Sequence, residues 1–148
     1  MSPSPKLRHQ RIVENVYRLL DVFVRQHRLG EVHIAPLDVH LPTQDVVQPD
    51  VIFVAESNRN ILQDWIRGVP DLLVEVISSD RVERDRIIKR RIYAQNGVKE
   101  YWIVEEPGVE VLTLDGAEYA PFGYFQGQDR LTSPLLPGLE IPVQRIFE

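Results

Sequence analysis

The chain contains no cysteine among its 148 residues. This absence excludes disulfide bonds, thiolate zinc sites and a cysteine nucleophile, and it fits a reducing compartment. No apolar run approaches the roughly 18 residues that a membrane-spanning helix needs, and the first residues lack the apolar core of a signal peptide. From these absences we expect a cytoplasmic protein with no membrane partner.

The compact motifs of several enzyme classes are also missing. The glycines form neither a GxxxxGK nor a GxGxxG phosphate loop. The four histidines lack the HExxH spacing of a zinc hydrolase. No GxSxG elbow surrounds Ser78 and Ser79. The absence of these motifs argues against a P-loop or Rossmann nucleotide site, a zinc hydrolase and an α/β-hydrolase triad.

Net positive charge is lacking as well, since 22 acidic residues face 17 basic ones and the formal charge is −5. An extended electrostatic grip on nucleic acid is therefore not indicated. Basic residues nevertheless cluster from Arg81 to Arg91, six against two acids. Such a cluster is ordinarily a solvated helix face; the alternative is a local contact with phosphates, for which Arg86 and Arg90 are candidates.

The apolar pattern that is present predicts a single α/β domain over residues 1–148. Apolar residues at spacings of three and four predict a first helix over 8–29, and a second helix is predicted from about Asp80 to Asn96. We expect a bulge at Pro36, where the alternation of the first strand changes phase. The predicted strands cover residues 32–41, 49–55, 71–78, 100–105, 109–114 and 118–120. The order is helix, three strands, helix, strand, then a β-rich extension, which predicts a mixed sheet.

Glu75 is the one charge inside the apolar run from Leu72 to Ile77, which is typical of a strand buried on both faces. An unpaired buried carboxylate costs several kcal/mol, so such a group is normally paired, protonated or bound to a metal. Asp50 begins an earlier predicted strand and is a second candidate carboxylate. Two carboxylates with backbone carbonyls and waters suit a hard cation, Mg²⁺ or Mn²⁺.

The helix after Glu75 carries two charges on its apolar side. In helical projection Asp85 and Lys89 share a sector with Ile88, Ile92 and Tyr93, so we expect them to face the sheet. Lys89 would then orient a water or stabilise charge on a phosphate. The competing interpretation is a buried structural network, in which an i,i+4 salt bridge fastens the helix to the sheet. The sequence pattern is compatible with both the catalytic and the structural interpretation. His9, near the apolar side of the first helix, could approach the same place, although a lone histidine there is more often structural.

Several motifs together resemble the Uma family of restriction endonuclease-like proteins, within the PD-(D/E)XK nuclease superfamily. They are PD at 49–50, PDLLVEVIS at 70–78, DR at 85–86 with Lys89, YA at 93–94, GVKEYW at 97–102 and SPLLPGL at 133–139. The resemblance implies a restriction-endonuclease-like αβββαβ core with a C-terminal β extension. It maps the first acid of the superfamily onto Asp50 and the second onto Glu75. The usual lysine position holds Ile77, and in this branch the lysine lies on the following helix, which matches Lys89; Asp85 would orient it.

These observations lead to the hypothesis of a Mg²⁺- or Mn²⁺-dependent endonuclease that hydrolyses phosphodiester bonds of DNA. Asp50 and Glu75 would bind metal, and Lys89 would assist catalysis. A homodimer is expected, because a small one-domain nuclease lacks room for a separate recognition module. The alternative is a catalytically silent interaction or scaffold protein that keeps the nuclease fold.

Overall fold

The computed structural model of the protein describes residues 6–78 and 83–148. Helix α1 (Leu7–Gln26) opens this part of the chain. Its residues Ile12, Val16, Leu20 and Val24 are buried and recur every four positions along one side. The predicted amphipathic helix is therefore confirmed, and it packs its apolar stripe against the main sheet.

The strands are short except where they form the C-terminal hairpin. They are β1 (Gly30–Ile34), β2 (Val39–His40), β3 (Val46–Val47), β4 (Val51–Ala55), β5 (Ile66–Arg67), β6 (Leu72–Val76), β7 (Glu100–Glu105), β8 (Gly108–Asp115), β9 (Glu118–Gln126), β10 (Arg130–Leu131) and β11 (Ile141–Pro142). Helix α2 (Glu83–Asn96) connects β6 to β7, and α3 (Val143–Ile146) follows β11. The predicted start of α2, at about Asp80, lies outside the described residues.

Six strands form the main sheet in the order β1-β4-β6-β7-β8-β9. Neighbouring strands of this sheet are antiparallel, except that β6 and β7 are parallel. Parallel strands require a crossover connection, which here runs through α2. The predicted mixed sheet and the αβββαβ order are confirmed. Since β6 is central, apolar side chains are buried on both of its faces.

The two faces of the sheet carry separate cores. On one face α1 and the C-terminal segment cover β6 and β7. On the other face Tyr93 of α2 packs with the small sheet of β2, β3 and β5. Because side chains alternate along a strand, Leu73 and Glu75 face α2, whereas Val74 and Val76 face α1.

One predicted strand was wrong. Residues 32–41 do not form a bulged strand; β1 ends at Ile34, and β2 pairs with β3 and β5 in the small sheet. Pro36 has no amide hydrogen and cannot continue the ladder, so the chain leaves the main sheet there. The connection over residues 56–70 also contains a 3-10 helix (Glu56–Ile61) in addition to β5, and β9 extends six residues beyond the predicted end.

A buried carboxylate attaches the C-terminal extension to the sheet. Glu100 accepts hydrogen bonds from the Trp102 indole at 2.8 Å and the Leu135 amide at 3.0 Å, and also from the Ser133 hydroxyl.

The described ranges contain no helix that is both long and apolar enough to cross a membrane.

Candidate active site

Glu75 stands near the carboxyl end of β6, and its side chain is 1% exposed. Two donors meet one of its oxygens. The Tyr93 hydroxyl donates to Oε2 at 2.6 Å, and Lys89 Nζ lies 3.3 Å from the same atom. Both donors come from α2, so the buried charge is compensated by the helix that covers this face of the sheet.

Lys89 points inward, as its helical position predicts, and its side chain is 24% exposed. Its ammonium lies 4.0 Å from Asp85 Oδ2, one turn earlier. Asp85 and Glu75 therefore flank the lysine from the helix and from the strand. The predicted inward sector was too wide, however, because Ile88 is 43% exposed. The helix meets this face through Lys89 and Tyr93, four residues apart, with Ile92 and Ala94 partly buried beside them.

Asp50 reaches the same end of the sheet from β4. In the antiparallel β4–β6 pair Val51 stands opposite Val74, so Asp50, the residue before β4, lies at the end of the sheet that also carries Glu75. Asp50 Oδ2 also accepts the amide hydrogen of Val76 at 2.7 Å, which joins this acid directly to the residue after Glu75.

His9 joins the site from the first turn of α1. Its Nε2 lies 3.0 Å from the Val76 carbonyl oxygen and 3.7 Å from Asp50 Oδ2. A cleft of about 480 Å³ is lined by His9 and Asp50, and a second of about 290 Å³ is lined by His9 and Val76. The sequence suggested that His9 could approach the acids, and the structure places it between the Asp50 carboxylate and the Val76 carbonyl.

Sequence reasoning placed Tyr93 on the inward side of α2 but gave its hydroxyl no role. Burial, reinforced by the negative charges of Glu75 and Asp50, raises the pKa of Tyr93 far above its ordinary value of 10.0. The hydroxyl therefore stays protonated and acts as a donor. The sequence did contain a pattern that could have indicated this role, since Asp85, Lys89 and Tyr93 follow one another at intervals of four residues on one side of the helix.

The two candidate phosphate-contacting arginines lie apart from this group. The Arg86 guanidinium bonds Glu105 at the end of β7 and Glu83 on its own helix. These carboxylates raise the pKa of Arg86. Arg90 is exposed and donates to the Tyr119 carbonyl oxygen at 3.4 Å. Contact with a phosphate would require Arg86 to exchange a carboxylate partner, whereas Arg90 would lose only a long hydrogen bond.

The donor set suits one class of cation. Among the described residues no three His, Cys, Asp or Glu side chains converge as a group that could hold a metal, so a closed all-protein cage is not formed there. Two carboxylates at one end of the sheet, with Asp50 lining a cleft large enough for water, fit a cation that keeps much of its hydration. Mg²⁺ behaves in this way, binding through one or two carboxylates with several retained waters.

A family model described as "Uma2: Putative restriction endonuclease" matches residues 1–144, nearly the whole chain. No curated protein matches. Among solved structures, similarity extends to a crystal structure described as a putative nuclease belonging to DUF820 from Anabaena variabilis. The TM-score is 0.78 at 17% identity, covering 99% of this chain and 84% of that one.

A second similar structure is that of a DrdV–DNA complex determined by electron cryomicroscopy. The TM-score is 0.51 at 13% identity; the match covers 95% of this chain and 13% of the DrdV chain. At these identities the similarities concern the fold. They bear out the expected restriction-endonuclease-like architecture.

Proposed function

The chain belongs to the Uma2 family of putative restriction endonucleases, and from this membership we propose that it is a metal-dependent endonuclease that hydrolyses phosphodiester bonds of DNA. The observation that carries the proposal is the meeting of Lys89 and Glu75, 3.3 Å apart, next to Val76, whose amide bonds Asp50. A similar fold occurs in a structure described as a DrdV–DNA complex, which supports DNA as the substrate.

Asp50 and Glu75 are the residues that would hold Mg²⁺ or Mn²⁺. When bound, the cation supplies Lewis-acid polarisation of a phosphodiester oxygen and makes an attacking water more acidic. Both acids are held in place: Asp50 by the Val76 amide, and Glu75 by Tyr93 and Lys89. Such preorganised groups need little rearrangement when substrate arrives.

Lys89 is the candidate for stabilising negative charge that develops on the phosphate. Its ammonium is held between Glu75 and Asp85, so the lysine is oriented from two sides. A cation fixed near a site of charge development lowers the barrier of a phosphoryl reaction. Arg90 is exposed on the same helix and is proposed to contact a neighbouring phosphate, as is Arg86 after it releases Glu105.

The proposal includes a homodimer. Ile87 and Ile88 are exposed on α2, and a single small domain offers one copy of the site, whereas cutting both strands of a duplex is simplest with two. Light scattering on the purified protein measures the mass of the particle.

A catalytically silent scaffold that keeps the nuclease fold is the second candidate. It is favoured by the way Lys89 and Tyr93 compensate Glu75 without a cation. The net charge of −5 also favours it, because the molecule as a whole repels nucleic acid.

Nicking of supercoiled plasmid with Mn²⁺ separates the two candidates. We expect activity in the unaltered protein and losses of about 100-fold or more in Glu75→Gln and Lys89→Met, in line with the effect of removing one stabilising group from an active site. Matched controls are Glu118→Gln, at an exposed position of β9, and Lys99→Met, whose ammonium lies near Asp71 at the opposite end of β6. Both controls should cut normally.

Each alternative result has a distinct meaning. Equal nicking in all five proteins would reveal a contaminating nuclease. No nicking in any of them, with either Mn²⁺ or Mg²⁺, would favour the scaffold. Loss in the Lys99→Met control as well as in Lys89→Met would point to a general effect of removing positive charge and would remove the special role of Lys89.

A further inference from the structure

Tyr93 is fixed by contacts on three sides. Its backbone belongs to α2, one turn after Lys89. The ring is fully buried and meets the Tyr101 ring edge-on, with 5.1 Å between centroids and an interplanar angle of 85°. The hydroxyl donates to Glu75 Oε2 at 2.6 Å. The oxygen of Tyr93 therefore cannot move away from Glu75 without a shift of the helix or of the aromatic packing.

Tyr119 shows what a purely structural tyrosine does in the same core. Its ring also packs against Tyr101, with 5.8 Å between centroids, and it too is buried. Its hydroxyl, however, donates at 2.6 Å to the backbone carbonyl of Val98. The two tyrosines make similar packing contacts and differ in the acceptor: a main-chain oxygen for Tyr119, and a candidate metal-binding carboxylate for Tyr93.

Two donors on a single carboxylate oxygen restrict its rotation. Tyr93 and Lys89 both approach Oε2 of Glu75, from positions one helical turn apart. Helix α2 therefore restrains the orientation that Glu75 presents. Partners of this kind, which bond the ligand instead of the metal, commonly change metal affinity or activity by about 10- to 100-fold when they are removed.

We propose that Tyr93 is a positioning residue, which acts through Glu75 to fix that carboxylate for a divalent cation. This inference rests on the proposed function, because it gives Glu75 the role of a metal ligand. It assigns to Tyr93 a part in cation binding, in addition to its packing beside Tyr101.

The test compares Tyr93→Phe with Tyr119→Phe. Each substitution removes one buried hydroxyl and keeps the ring. Mn²⁺ binding is measured without DNA, from the paramagnetic resonance signal of the free ion, so the readout does not depend on turnover. We expect Tyr93→Phe to raise the dissociation constant for Mn²⁺ about tenfold and Tyr119→Phe to leave it within about twofold. Urea unfolding of both variants shows whether each one remains folded.

The outcomes distinguish this proposal from the one on which it rests. If the unaltered protein binds Mn²⁺ and Tyr93→Phe binds it equally well, the positioning role is overturned while the metal site stands. If both tyrosine variants weaken binding alike, the effect is one of stability, and the positioning role is again overturned. If the unaltered protein binds no Mn²⁺ at all, the metal-dependent function itself is overturned, and the role of Tyr93 with it.

Discussion

At the scale of single residues, Asp50 combines two roles that substitution can separate. Its carboxylate accepts the Val76 amide hydrogen at 2.7 Å, and we propose that it also binds a cation. An asparagine can accept the same hydrogen bond but binds Mg²⁺ more weakly, because it lacks the negative charge. An alanine can do neither.

We therefore expect Asp50→Asn to unfold in urea within about 0.5 kcal/mol of the unaltered protein, and Asp50→Ala to lose about 1–2 kcal/mol, since it leaves the amide without its partner. Both variants should lose plasmid nicking. Nicking by Asp50→Asn at the normal rate would remove Asp50 from the set of metal ligands, whatever its effect on stability.

The residue scale also shows what sequence could and could not predict of the site. Glu75 and Lys89 were identified because a charge in an apolar pattern is costly, and the structure brings the two within 3.3 Å. The hydrogen bond from the Val76 amide to Asp50 could not be predicted from the sequence pattern, since every residue except proline carries an amide hydrogen. The hydroxyl of Tyr93 was hidden as well, because an inward tyrosine on a helix is ordinarily explained by packing alone.

At the scale of elements, the long regular segments were predictable. Strand β7 was predicted with its observed bounds, Glu100–Glu105, because an apolar pattern there is preceded by Gly97 and followed by Pro107-Gly108. The prediction for the segment after β1 was wrong for a physical reason. Val39 and Leu41 resume the apolar alternation after the change of phase at Pro36 and are buried, but in the core that includes the small sheet, and alternation does not reveal which sheet a strand joins.

The aromatic row formed by Tyr93, Tyr101 and Tyr119 connects α2 to β9. Because Tyr119 is buried in this row, the free energy of unfolding should depend on pH in the alkaline range. Burial raises the pKa of Tyr119 well above its ordinary value of 10.0. A tyrosine with a raised pKa in the folded state stabilises the fold fully below pH 10, where folded and unfolded chains are both protonated. Above that pH only the unfolded chain loses the proton, and the contribution declines.

We expect Tyr119→Phe to reduce the fall in unfolding free energy above pH 10 by about 1.4 kcal/mol per pH unit, measured by urea unfolding at several alkaline pH values. The control is Tyr124→Phe, at an exposed position of β9, which should follow the unaltered protein. Identical alkaline slopes in Tyr119→Phe and the unaltered protein would mean that the hydroxyl titrates freely in the folded state.

At the scale of the whole molecule, charge limits how DNA can be held. With a formal charge of −5, an extended basic surface is not indicated, and the proposed contact is local, at the end of the sheet where Lys89 lies and along α2. Lys89, Arg86 and Arg90 are the cations assigned to phosphates in the proposed function. A protein that neutralises three phosphates releases a correspondingly small number of counterions, so its affinity should depend only moderately on salt.

Three phosphate contacts per protomer predict a slope of about −2.7 for log affinity against log salt concentration, and about twice that for a dimer with both copies engaged. Anisotropy of a labelled duplex, measured in EDTA to prevent cleavage and between about 50 and 200 mM salt, gives this slope. Arg90→Gln should reduce its magnitude by about 0.9 per protomer. The control, Arg18→Gln, removes an exposed arginine of α1 that pairs with Glu14, and it should leave the slope unchanged. A slope near zero would contradict phosphate contact altogether, whereas an unchanged slope in Arg90→Gln would place the interface elsewhere than on this part of α2.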